Sequence, residues 1–181
     1  MKTLVRLALA LTLAAAALAA QAQARPTPPS ARPAVPPLSD CDAPASRAKI
    51  VAESEATLQS VQGYMESYAA YSDAQARWKS DQLVAKGAWT EAEAGAFGAE
   101  MLKDPTFAAM TKANMKAVEK LFDALKPFMD ASAAKDELGI CRSMIGFIAA
   151  AYAVVDTTEE QWRYMDERFA QVAKAKGVSL D

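Results

Sequence analysis

The apolar residues after position 46 recur every three or four residues, a spacing that places them on one face of an α-helix. The first such stretch begins after Asp42 or Ser46, either of which can cap a helix, and ends at Gly87. It predicts one helix of about 40 residues and about 60 Å. Its seam residues are Val51, Leu58, Val61, Met65, Tyr68 and Trp78.

Paired start signals predict two helices after this one. Thr90 and Glu93 form a capping box, in which each side chain binds the other residue's backbone N–H, at the start of a short helix. Asp104 and Pro105 supply a cap and a first-turn proline for the next helix. Pro127 is expected to kink or end that helix because it lacks a backbone N–H.

The remaining sequence predicts two more helices. No residue in 143–155 is charged, and the run is too short for a membrane span, so residues 137–155 are predicted as the central buried helix. Thr157 or Thr158 with Gln161 forms a second capping box, which predicts a separate last helix ending at Gly177. No stretch alternates with the β period. The predicted fold is therefore all-α, an up-and-down bundle of four main helices plus one short helix over residues 41–181.

Residues 1–22 have the three parts of a signal peptide in order, namely a positive start, an apolar run and small residues at Ala20 and Ala22. The expected cleavage site follows Ala22, with Ala24 as the alternative. The apolar run is shorter than the roughly 20 residues of a membrane span, which disfavours an uncleaved anchor. The chain is predicted to be exported, periplasmic or secreted, without membrane insertion after signal removal.

Residues 23–40 carry six prolines within twelve positions. This composition favours extended polyproline conformation and precludes a helix. The segment is predicted to be a disordered, flexible tail that precedes the bundle. A proline-rich recognition ligand is the alternative.

The net charge limits the kinds of partner, and the two cysteines limit the arrangement of the helices. Loss of the signal peptide changes the formal charge from −2 to −4, and a mildly acidic chain without a basic cluster argues against nucleic acid as a partner. Two cysteines in an exported chain usually pair. Cys41 and Cys141 are therefore predicted to form a disulfide that brings the starts of the first and fourth helices to one end of the bundle. Two free thiols are the alternative.

The chain contains no histidine. This excludes Ser-His-Asp and Cys-His catalysis, attachment of c-type haem, and the Glu-x-x-His metal sites of helical bundles. Zinc sites of the usual His/Cys type cannot be assembled either. The sequence therefore predicts no catalytic residue, no metal site and no cofactor.

The carboxylate pairs and methionines that could serve catalysis or metal binding have a structural explanation. The carboxylate pairs Glu91/Glu93 and Glu159/Glu160 each fall in the first turn of a predicted helix, where negative charge complements the helix dipole. Four methionines lack the dense spacing of a copper site and predict core packing or an adaptable apolar surface. They are Met101, Met110, Met115 and Met129.

Two features are candidates for ligand binding. Tyr64, Tyr68 and Tyr71 are four and three residues apart, so they lie on one face of the first predicted helix. Such a row either lines a ligand groove or marks the boundary between core and solvent. Arg142 opens the most apolar helix beside Cys141; if buried, it needs a carboxylate or an anionic ligand, and otherwise it reaches solvent.

Two tetrapeptides, 90–93 (Thr-Glu-Ala-Glu) and 158–161 (Thr-Glu-Glu-Gln), resemble the L-T-x-x-Q repeats of periplasmic stress chaperones, which are small exported helical proteins. They depart from that pattern because Trp89 and Thr157 replace the leucine, and only the second ends in Gln. Capping boxes account for both tetrapeptides. The resemblance implies an envelope chaperone-like protein as one possible function.

These observations favour a non-catalytic binding or interaction protein of the bacterial envelope, with another envelope protein as its partner. The alternative is a carrier of a small apolar or aromatic ligand held between helices at Tyr64, Tyr68 and Tyr71. An enzyme that uses Glu, Arg, Tyr or Lys alone is a third hypothesis, for which no constellation stands out. A solid core favours surface recognition, whereas a pocket lined by tyrosines favours a carrier.

Overall fold

The computed structural model describes residues 24–36 and 41–180. This part of the chain forms four α-helices and no β-strand, which confirms the predicted all-α bundle. The helices are α1 (Pro44–Ala85), α2 (Glu91–Met101), α3 (Pro105–Ala134) and α4 (Glu137–Ala175). The predicted signal peptide, residues 1–22, lies outside the described residues.

The first helix has the predicted end and a different start. Pro44 is the first residue of α1 and Ala43 is its N-cap, so neither Asp42 nor Ser46 caps it. Proline suits this position because the first N–H groups of a helix have no intrahelical partner. At the other end, Gly87 has φ +68°, a left-handed conformation that glycine adopts without a steric penalty.

The predicted caps of α2 and α3 are confirmed. Glu93 N donates to Thr90 Oγ1 at 3.2 Å, and Thr90 N donates to Glu93 Oε2 at 2.7 Å, which completes the capping box. Asp104 caps α3 by accepting hydrogen bonds from two backbone N–H groups of its first turn. Pro127 lies inside α3 and does not end it. It is exposed, as is Asp123, so water can bind the Asp123 carbonyl that lacks a helical donor.

The predicted boundary between a fourth and a fifth helix is wrong. Residues 155–158 lie inside α4, which runs unbroken for 39 residues, so the described chain has three long helices and one short one. The hydroxyls of Thr157 and Thr158 accept hydrogen bonds from Asn114 Nδ2 of α3 at 3.1 and 2.8 Å. Gln161 Nε2 donates to Thr111 Oγ1 of α3 at 2.9 Å. The residues that imitate a capping box therefore join α3 to α4.

The long helix α4 packs against both α1 and α3. Cys41 Sγ and Cys141 Sγ lie 2.11 Å apart, within disulfide-bonding distance, so the starts of α1 and α4 share one end as predicted. Further along, Leu83 of α1 and Phe169 of α4 share a buried cluster, so these two helices run parallel. The helix between them in the sequence, α3, runs antiparallel to α4. Asn114 bonds to Thr158, whereas the earlier Thr111 bonds to the later Gln161.

The core is divided into three clusters along the bundle axis. The cysteine pair and Ile50 form one end, and an aromatic cluster around Phe169 forms the other. The middle cluster contains Tyr64, Ile148 and other buried residues of α1 and α4. By length and composition α4 is long and apolar enough to cross a membrane, a test that the core helices of soluble proteins also pass, so this segment is not too short for a span as predicted.

Candidate functional site

The three predicted tyrosines line a groove between α1 and α4. The ring centroids of Tyr64 and Tyr68 are 5.6 Å apart, and those of Tyr68 and Tyr71 are 6.4 Å apart. The groove has two adjoining parts: a more open one of about 610 Å³ beside Tyr64, called the outer part, and a smaller one of about 220 Å³ beside Tyr71, called the inner part. We call it the tyrosine groove; α4 contributes Asp156, Glu159, Glu160, Trp162, Arg163 and Asp166 to its lining.

A partly buried hydrogen bond fixes Tyr64 against α4. The Tyr64 hydroxyl donates to Glu159 Oε1 at 2.7 Å. Burial and this hydrogen bond raise the pKa of Tyr64 well above its ordinary value. Burial, together with the negative charge of Glu159, also raises the pKa of Tyr68. The hydroxyls of Tyr64 and Tyr68 therefore stay protonated, and that of Tyr64 is occupied by Glu159.

The inner part of the groove contains a polar atom without a partner. Gln75 of α1 is 3% exposed and lines this cavity together with Tyr71 and Trp162. Its Oε1 atom has no hydrogen-bond partner among the described residues. A buried unpaired polar group costs about 1–3 kcal/mol. A hydrogen-bond donor would remove this cost only if the Gln75 side chain turned its Oε1 atom toward the cavity.

Ion pairs balance most of the charge around the groove. Arg32 binds Asp156 at 2.7 Å and Glu159 at 3.2 Å. Lys79 binds Asp166 at 2.8 Å. The carboxylates of the lining exceed the neighbouring cations by one, which favours a neutral or cationic ligand over an anion. The carboxylates are Asp156, Glu159, Glu160 and Asp166, and the cations are Arg32, Lys79 and Arg163.

Arg32 belongs to residues 24–36, which we call the N-terminal strap. Its guanidinium lies 5.3 Å from the ring centroid of Tyr152, whose hydroxyl donates to the carbonyl oxygens of Pro33 and Ala34 at 3.1 and 2.9 Å. Arg25 lies over the ring of Trp78. The strap lies without helical structure against α1 and α4, beside the tyrosine groove, and the flexibility of the tail over residues 23–40 stays a prediction.

Arg142 lies away from the groove, at the end of the bundle where the two cysteines meet. Its Nη2 atom is 2.6 Å from Asp42 Oδ1, and the two side chains are 61% and 66% exposed. Arg142 therefore has a carboxylate partner and also reaches solvent. An exposed pair of this kind contributes about 0–1 kcal/mol. Its role in ligand binding stays a prediction, as does that of the tyrosines, and its position is separate from the tyrosine groove.

Sequence reasoning missed several residues of the groove. Tyr68, Tyr71, Gln75 and Trp78 are spaced by three or four residues, so they share one helix face. A polar residue on that apolar face was the signal by which Gln75 could have been found. Glu159 was assigned to a first helical turn that does not exist, because α4 is continuous. Arg32 had no signal, since a proline-rich composition does not reveal where the segment packs.

Neither a metal site nor a similar protein indicates what the groove binds. Across residues 24–36 and 41–180, no group of three or more His, Cys, Asp or Glu side chains could hold a metal ion. The chain has no match among protein-family models, curated proteins or solved structures. The chemistry of the tyrosine groove is therefore the main guide to function.

Proposed function

We propose that the protein is a non-catalytic binding protein of the bacterial envelope, and that its tyrosine groove binds a small ligand. The ligand has an aromatic or apolar body and a hydrogen-bond donor, most simply an amine. The observation that carries this proposal is the unpaired Oε1 atom of Gln75 at the inner end of the groove. A donor that reached this atom, once the Gln75 side chain turned toward the groove, would remove the cost of leaving it unpaired.

The remaining properties of the groove support the same kind of ligand. Its volumes of about 610 and 220 Å³ suit a small molecule. The tyrosine rings attract a cation through their π faces, worth about 0.5–2 kcal/mol. The excess of carboxylates favours an ammonium group over a carboxylate. The neutral tyrosines and paired acids offer no activated nucleophile or base, which supports binding without catalysis.

Calorimetric titration of the exported chain tests this proposal with two matched probes. Phenethylamine carries an aromatic ring and an ammonium donor, and phenylacetate carries the same ring with a carboxylate. We expect the amine to bind and the carboxylate to bind at least about tenfold more weakly, a difference of about 1.4 kcal/mol. Equal affinity for the two probes, or no binding of the amine, would contradict the proposal.

Two glutamine variants locate the site in the same titration. Gln75→Leu removes the unpaired amide and is expected to weaken binding of phenethylamine. Gln62→Leu is the matched control, because Gln62 is on the same helix but exposed, where its amide bonds to Glu66. Weakening by the control alone would place the site elsewhere on α1.

The second candidate is an interaction protein that binds an extended segment of another envelope protein. The observation that favours it is the strap itself, because Tyr152 and Arg32 hold extended backbone against α4. An envelope chaperone-like role stays a prediction. Thr158 and Gln161, which carry the resemblance to the chaperone repeats, bond to α3 within the bundle.

The Arg32→Ala variant tests this second candidate. Loss of both ion pairs is expected to release the strap, so that limited proteolysis cuts residues 24–36 faster than in the wild type. A synthetic peptide of residues 24–36 should then bind the variant and not the wild type. Arg77→Ala is the control, because Arg77 forms an exposed pair within α1. A peptide that binds neither protein would count against a peptide-binding face.

A further inference from the structure

A row of large apolar side chains is exposed on the outer side of α3. Met115, Phe122 and Met129 are 60%, 67% and 60% exposed. They are seven residues apart, so successive members fall within about 20° of one another around the helix. We call these three residues the α3 stripe; it is about 21 Å long. A different face of α3, which includes the buried residues Phe107 and Ala117, points into the bundle.

The two edges of the α3 stripe differ in chemistry. One edge is apolar and formed by Val118 and Leu125, which are half-buried where the stripe meets the core. The other edge is charged and exposed, with Glu119 and Lys126 next to the stripe. Helical geometry places Lys116 and Asp130 further out on this same charged edge. A partner that covers the stripe therefore meets apolar groups on one side and alternating charges on the other.

This charge pattern complements itself in one orientation. A two-fold axis through Phe122 that pairs two antiparallel α3 helices places Met115 of one copy opposite Met129 of the other. The same operation brings the two charged edges together, so Glu119 of each copy lies opposite Lys126 of the other. Lys116 and Asp130 are matched in the same way. A parallel pair would instead set the charged edge of one copy against the apolar edge of the other.

We propose that two copies of this chain associate through the α3 stripe as an antiparallel pair, with Phe122 at the two-fold axis. One face of one helix is smaller than the interfaces of stable dimers, which bury about 1,200–2,000 Å². The association is therefore weak and depends on protein concentration. The proposal is independent of the tyrosine groove and of the function proposed for it.

Sedimentation velocity of the full exported chain over a range of concentrations tests the association. The wild type is expected to show a monomer–dimer equilibrium. Phe122→Lys should abolish it, because the substitution places two like charges at the axis. Lys120→Glu is the control, because Lys120 is exposed on another side of α3. Circular dichroism establishes that each variant keeps its helices.

A charge exchange tests the orientation. Glu119→Lys and Lys126→Glu should each weaken the dimer by roughly tenfold, because each creates two repulsive contacts. The double variant, which exchanges the two charges, should restore the wild-type affinity. In addition, Phe122→Cys should form a disulfide between two copies on oxidation, whereas Lys120→Cys should not. The recovery by charge exchange is specific to the antiparallel pair, whereas the Phe122→Cys cross-link shows that the two stripes meet.

Three outcomes would overturn the proposal. The chain could stay monomeric at every concentration, which would leave the stripe to another occupant such as a different envelope protein. It could dimerise with an affinity that Phe122→Lys does not change, which would place the interface elsewhere. Failure of the double charge exchange to restore affinity would rule out the antiparallel orientation.

Discussion

The α1–α4 side of the bundle and the outer side of α3 both present aromatic or sulfur-containing side chains, but their polar groups are arranged differently. In the tyrosine groove, Glu159 binds Tyr64 and Arg32, and the Oε1 atom of Gln75 is buried without a partner. On the α3 stripe, Phe122 stands beside charges that remain in solvent. The site proposed for a small ligand therefore has its polar groups inside. The surface proposed for another helix has them along its border.

The largest expected effect separates a core phenylalanine from the phenylalanine of the stripe. Phe169 is 2% exposed and packs against Trp89 and Phe97, with ring centroids 5.8 and 4.5 Å away. Phe169→Ala should lower the free energy of unfolding by about 3–5 kcal/mol. Phe122→Ala should change it by less than about 0.5 kcal/mol and should act on association instead. Chemical denaturation measures both, and a large loss of stability in Phe122→Ala would contradict the exposed position of the stripe.

The second-largest effect is expected from loss of the cysteine pair that joins the starts of α1 and α4. Cys41→Ser removes the bond that the cysteine pair is placed to form across a separation of 100 residues. The free energy of unfolding should fall by about 2–5 kcal/mol, because the unfolded chain regains conformational freedom. Denaturation of the oxidised wild type and the variant measures the difference. Equal stability would show that the pair does not constrain the α1–α4 side.

A smaller effect of opposite sign is expected at Gln75. Gln75→Leu should raise the free energy of unfolding of the unliganded protein by about 1 kcal/mol, because it replaces a buried unpaired amide with an apolar group. Gln62→Leu, on the exposed face of α1, should change it by less than about 0.5 kcal/mol. Denaturation without added ligand measures both. A loss of stability in Gln75→Leu would mean that the amide is satisfied and that the groove carries no such cost.

The smallest effect appears at alkaline pH. The folded state raises the pKa of Tyr64, chiefly by burial and then through the bond to Glu159, so folding favours the protonated hydroxyl. This contribution is complete below the unfolded pKa of about 10 and is lost as pH rises through the folded pKa. Stability should therefore fall above about pH 10, and less steeply in Tyr64→Phe. Phe122→Ala, on the stripe, should keep the wild-type slope; equal slopes for Tyr64→Phe and wild type would contradict the prediction.

The comparison also shows what the sequence could predict. Capping residues such as Thr90 and Asp104 predicted two helix starts, because a cap is a local interaction between neighbouring residues. Thr158 and Gln161 imitate the same pattern, yet they bond to α3, and only the tertiary structure distinguishes the two uses. The tyrosine row followed from helical spacing alone.

The groove itself depends on contacts between distant parts of the chain. Glu159 meets Tyr64 across 95 residues and Arg32 across 127 residues. No local pattern encodes these pairs, and the continuous course of α4 is what brings Glu159 to the groove. For Arg142 the sequence left a carboxylate partner and contact with solvent as alternatives, and the side chain has both.

The most direct test of the proposed function is an NMR titration of residues 23–181 with phenethylamine, observed at the side-chain amide of Gln75. We predict that this amide shifts together with the rings of Tyr68 and Tyr71, that the α3 stripe does not respond, and that phenylacetate produces no such shift. An unmoved Gln75 amide, or the same shifts with both probes, would contradict a donor-binding site in the tyrosine groove.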